Sequence, residues 1–111
     1  MPLSRDEAML EAAVELEHLA RRRLALAEAG EWDEVVASET RRGELARAID
    51  SSAVEDPDRY QALVTRLQRI LELDNRLRPL LEARLEALGH TLINARKGAA
   101  GHRAYQRFRN D

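Results

Sequence analysis

A chain of 111 residues is sized for one compact domain, and with 44% hydrophobic but only 4% aromatic residues its core must be built from Leu, Ala, Val and Ile, which favours helix-on-helix packing. Charged residues make up 34%, yet the signs nearly cancel to a net charge of -2, so nothing advertises a protein held to nucleic acid by counterion release. The lack of cysteine excludes a disulfide framework and a thiolate nucleophile, no run approaches the roughly 20 apolar residues of a membrane span, and the N-terminus turns acidic before any apolar run. A cytoplasmic protein without membrane insertion is expected.

Ser4 followed by Glu7 forms a capping box, which predicts a helix from about Arg5 to Ala29. Within it Met9, Ala13, Leu16, Ala20, Leu24 and Ala27 recur at three and four residues, and Gly30 supplies a left-handed stop. Arg21, Arg22 and Arg23 diverge by about 100° per residue, so they cannot form one basic patch and read as a solvated face. Nearly all basic side chains are arginine, Lys97 being the only lysine, a bias that high genomic GC content produces and that also suits planar multi-donor contacts at protein interfaces.

The tight Gly30-Glu31 link predicts an antiparallel hairpin into a second helix, with Trp32, Val35, Val36, Leu45 and Ile49 along its stripe. Glu39, Arg42 and Gly43 interrupt that stripe, leaving its middle to face water or a partner. Trp32 reads as a residue that packs the hinge. Residues 50–58 are a linker, and Asp56 before Pro57 starts a third helix, because proline at the first position gives up an amide that would be unpaired anyway.

The third helix carries Tyr60, Leu63, Leu67, Ile70, Asp74, Leu77, Leu81, Leu85, Leu88 and Leu92 at a seven-residue rhythm, the pattern of coiled-coil-like packing. Asp74 alone interrupts it, either paired with Arg42 or Arg47 of the second helix or turned into solvent at the bend that Pro79 should impose near residues 75–78. The Lys97 to Gly101 stretch is weak helix material, so a short fourth helix is expected over residues 99–109, able to move, with Tyr105 and Phe108 on one face. The fold class is all-α: one antiparallel helical bundle over residues 1–111, with three principal helices plus the short C-terminal fourth.

No catalytic constellation emerges. His18, His90 and His102 are not joined by further ligands at metal-binding spacing, so neither a metal nor another cofactor is expected. A helical enzyme of the chorismate-mutase kind would need several cations around a dicarboxylate, and the single lysine lies in a glycine-broken connector. A protein that works by binding other proteins is the reading that remains.

Two stretches carry a family pattern: Gly30-Glu31-Trp32-Asp33 opening the second helix, and Leu71-Glu-Leu73-Asp74-Asn75 followed by Leu80-Leu81-Glu-Ala-Arg84-Leu85 in the third. With Ala104-Tyr105-Gln106-Arg107-Phe108 near the C-terminus, in this order and at this length, the chain from Leu16 onward resembles the FliT family of flagellar export chaperones. The resemblance implies a cytosolic chaperone that binds the filament-cap protein, contacts the export ATPase complex and delivers its client to the type III export apparatus. It also raises, as an alternative, a regulator that titrates the flagellar master transcription regulator. A weak homodimer completes the expected partners, with no direct nucleic acid among them. Client contacts are expected from an amphipathic helix seated against the second and third helices, at Leu67, Ile70, Leu71 and Leu77, with Tyr105 and Phe108 covering the groove or touching other partners.

Overall fold

The structure, a computed structural model, describes the backbone of residues 3–110 and the side chains of residues 3–98. Its helices are α1 (Arg5–Glu28), α2 (Trp32–Ala37), α3 (Glu39–Arg47) and α4 (Pro57–Asn110), with one 3₁₀ turn at Ser51–Ala53 and no strand among the described residues. The chain divides into two compact units, Met1–Leu80 and Leu81–Asp111.

Helix α1 begins where the capping box puts it: the Glu7 amide donates to Ser4 Oγ at 3.2 Å, satisfying one of the amides a helix start leaves unpaired. It ends at Gly30, whose φ of 77° is the only positive one among the described residues, an inexpensive conformation for glycine alone. The Glu31 amide donates back to the Leu26 carbonyl across this turn. Reversal of the chain follows from that turn, and the next helices descend along α1.

The expected second helix is two helices. At Ser38 the hydroxyl donates to the Val35 carbonyl at 2.5 Å while the Ser38 amide is shared between the Glu34 and Val35 carbonyls, which tightens the ladder and separates α2 from α3. Val35 is buried, but its neighbour Val36 is 70% exposed, so only one of the two valines expected on the inner stripe reaches the core. Gly43 lets the α3 backbone lie against the Arg47 guanidinium, since a Cβ there would sit 3.1 Å from Arg47 Nη1.

Two clusters form the core of the first unit. Met9 and Ala13 of α1 meet Val54 of the connector and Leu63 of α4, and one level up Leu16 and Ala20 meet Leu45 of α3 and Ile70 of α4. The order of these layers makes α4 run in the same direction as α1, while α3 runs opposite to both, with the Asp50 amide 3.4 Å from the Met9 sulfur at its lower end. The α1 helix, the α2–α3 pair and α4 are therefore antiparallel in turn, the arrangement that short links dictate.

Helix α4 opens at Pro57 with the Asp56 carboxylate accepting from the Arg59 amide at 3.0 Å, and it contains Pro79 without ending there. Proline has no amide to give to the ladder, and α4 stays helical on both sides of it. The separate fourth helix expected over residues 99–109 is not present, because α4 continues to Asn110. Glycine in a helix interior costs about 1 kcal/mol relative to alanine, which weakens Gly98 and Gly101 as helix positions but does not stop a helix already propagating. The side chains of Tyr105 and Phe108 lie outside the described residues.

Candidate functional site

Helices α1 and α2–α3 leave a trough between them on the outer face of the first unit. Leu19 and Leu26 of α1, Ala37 and Ser38, with Arg22, Glu34 and Arg41 around them, enclose a cleft of about 440 Å³. It continues into a smaller one of about 200 Å³ lined by Glu15, His18, Leu19, Arg22, Arg41 and Leu45. The floor is aliphatic and the rim is charged with both signs, the form that suits one face of an amphipathic helix.

The rim is held in place by its own ion pairs. Arg41 Nη2 lies 2.7 Å from Glu15 Oε1, its Nε reaches the same oxygen at 2.9 Å, and its Nη1 lies 3.1 Å from Glu44 Oε2, so one guanidinium ties α3 to α1. The hydrogen bonds it donates, first to Glu15 and then to Glu44, hold Arg41 above its ordinary pKa. Across the larger cleft Arg22 Nη2 sits 3.5 Å from Glu34 Oε2. These pairs are half exposed, so they shape the rim and add little to stability.

Below the rim lies a buried charge that the arginine run conceals in sequence. Arg21 turns back to Glu17 at 3.1 Å and Arg22 reaches Glu34, but Arg23 is only 3% exposed and donates to Glu39 at the start of α3. The solvated-face expectation therefore fails for Arg23, because the 100° step per residue that separates the three also carries one of them into the bundle. Burial pushes the Arg23 guanidinium below its ordinary pKa, opposed by Glu39 and, more weakly, Asp74. Its Nε has no hydrogen-bond partner in the structure. Asp74 Oδ2 stands 3.5 Å from Arg42 Nη2, so Arg23, Glu39, Arg42 and Asp74 form one alternating set joining α1, α3 and α4.

Glu17 is the second buried charge. Arg21 bonds its Oε2, Arg66 lies 3.6 Å from the same oxygen, and Arg69 lies 3.8 Å from Oε1. Three cations thus surround one carboxylate between α1 and α4, the pairing a buried charge requires.

The residues singled out as client contacts scatter. Ile70 and Leu77 are buried in the free chain, and Leu67 is half-buried between the two core clusters. Leu71 alone of the four stands exposed. Trp32 is half-buried at the first position of α2. The trough residues Leu19, Leu26, Arg22 and Arg41 were not anticipated. Leu19 and Leu26 are seven residues apart, which marks a second apolar register on α1 beside the Met9 to Ala27 stripe.

Compared with protein families, the chain matches the model described as Flagellar protein FliT over residues 10–107. The chain belongs to the FliT family. No curated protein and no solved structure matches it. FliT membership makes it a protein of flagellum biogenesis in a family of export chaperones, which is not a family of known enzymes. Among the described residues no helix is long and apolar enough to cross a membrane.

Proposed function

We propose that this FliT-family chain is a cytoplasmic export chaperone for the flagellar filament-cap protein, which it shields and passes to the type III export apparatus by way of the export ATPase complex. The family match over nearly the whole chain carries the reading. The trough between α1 and α2–α3 supports it with a place for the client, since an aliphatic floor with a mixed-charge rim accepts an amphipathic helix and resists nonspecific single-sign partners.

Capture with the tagged chain in a flagellated host tests the function. Recovery of the cap protein and the export ATPase supports it, whereas recovery of the master transcription regulator without the cap protein would support the titrating-regulator alternative. The site is tested by Leu26→Ser, which removes part of the trough floor without entering either core cluster. Loss of one leucine contact of about 1.5–3 kcal/mol weakens cap-protein affinity roughly 10- to 100-fold. Leu71→Ser reports on the exposed α4 position, and the helical circular-dichroism signal should stay unchanged in both variants. Unaltered affinity in Leu26→Ser would place the client elsewhere.

A further inference from the structure

Glu17 needs one cation and is given three. Arg21 Nη2 donates to its Oε2 at 3.1 Å, while Arg66 Nη1 stands 3.6 Å from the same oxygen and Arg69 Nη1 3.8 Å from Oε1, beyond hydrogen-bond reach. Oε1 is buried without a hydrogen-bond partner, so the carboxylate holds the two α4 arginines by charge alone. A guanidinium carries five N–H donors in a fixed fork, and those of Arg66 and Arg69 are committed to no acceptor among the described residues. The Glu17 side chain is 6% exposed, whereas those of Arg66, Arg69 and Arg21 are 34%, 54% and 60% exposed. The anion is thus sealed beneath three cations that solvent reaches.

Like charges cluster only where something gathers them, and one buried carboxylate does so here. Against that single negative charge, two positive charges are left over. One turn along α4 the exposed Glu72 and Arg76 cancel each other, so the surplus stands. Half-buried Leu73, on the same stripe as Arg66 and Arg69, adds an apolar edge. The set lies on the far side of α1 from the trough, since Glu17 and Arg21 are about 140–180° around the helix from Leu19 and Leu26. Spread over two helices and open to solvent, it suits carboxylates along one face of a partner helix better than a small enclosed anion.

We propose that Arg21, Arg66 and Arg69, gathered by Glu17, form a second docking surface, separate from the trough, that takes an acidic helical segment of a partner protein through forked hydrogen bonds to its carboxylates. Arginine is the cation for this task, because its planar fork matches a carboxylate and is already oriented before binding. The surface lies within the first unit, and the inference does not depend on which client fills the trough.

A fluorescein-labelled, alanine-rich helical peptide bearing glutamates at i, i+4 and i+7 serves as the probe, read by anisotropy against the full chain at low salt. Saturable binding that weakens as salt rises is expected. R66Q/R69Q should weaken it about tenfold or more, and R66K/R69K, which keeps both charges beside Glu17, should still weaken it several-fold because lysine lacks the fork. R47Q/R78Q removes the same charge from exposed positions elsewhere, Arg78 lying half a turn around α4 from Arg69, and should leave affinity within about twofold. Circular dichroism checks each fold, and the lysine pair keeps the test decisive if the glutamine pair unfolds. Binding of filament-cap protein should be unchanged in R66K/R69K. The proposal is overturned by a peptide that does not bind, by equal losses in R66Q/R69Q and R47Q/R78Q, or by full affinity in R66K/R69K. It is also overturned if inorganic phosphate competes better than chloride at equal ionic strength, which marks a small-anion site, if a single-stranded oligonucleotide of equal charge binds more tightly than the peptide, or if R66K/R69K loses the cap protein.

Discussion

Leu63→Ala should lower the unfolding free energy by about 2–5 kcal/mol, the range for removing a fully buried leucine where the surroundings relax only partly. Leu63 is 0% exposed and sits where α4 closes the lower core, against Met9 and Ala13 of α1 and Val54 of the connector. No single element can move in to fill the space, because three separate stretches of chain converge there. Small domains keep only about 5–15 kcal/mol in total, so one such loss removes a large share of it. Urea unfolding followed by circular dichroism should show a lower midpoint with an unchanged slope. Leu85→Ala in the same assay on dilute protein should move stability by no more than about 0.5 kcal/mol, since Leu85 is exposed. Equal losses in the two variants would contradict the assignment of the core to the first unit.

Glu39→Ala should be the most costly change of any surface carboxylate. Glu39 is itself 54% exposed, but the guanidinium it accepts from is buried to 3%, so its removal strands a cation that water reaches poorly. Charged hydrogen bonds of this half-buried kind contribute about 1–3 kcal/mol. Asp74 lies close enough to Arg23 to hold part of the charge, which keeps the expected loss below that of a fully buried pair. Arg23→Met made together with Glu39→Ala removes the stranded cation and should recover part of the loss, a coupling that a double-mutant cycle measures directly. By contrast Arg41→Ala, despite its several bonds to Glu15 and Glu44, should leave the midpoint nearly unmoved because the whole cluster is solvated. If Arg41→Ala proved the more damaging, the buried set would not be the lock between α1 and α3.

What the sequence made legible was the chemistry that acts over a few residues. The Ser4 cap, the Gly30 reversal and the Pro57 start each depend on a side chain and the turn beside it, and each stands in the structure where local chemistry puts it. The break at Ser38 was harder to see, because a serine inside a charged helix is equally at home pointing into water, and only its bond to the Val35 carbonyl makes it a boundary. Gly98 and Gly101 misled in the other direction: their propensity argues for a break, but propagation of an existing helix outweighs a penalty of about 1 kcal/mol each. Burial of Arg23 depends on the angle between α1 and α3, which no run of three arginines discloses. The trough escaped for a related reason, since Leu19 and Leu26 form a second register whose use shows only once α2 and α3 lie alongside.

Titration of purified filament-cap protein from the same organism into the full chain, by calorimetry, bears most directly on the claim that this FliT-family chain is a cap-protein chaperone with its client seated between α1 and α2–α3. The account predicts saturable binding that Leu26→Ser weakens roughly 10- to 100-fold while the helical signal is unchanged. No heat of binding at saturating concentrations, or binding that the folded Leu26→Ser variant retains in full, would contradict it.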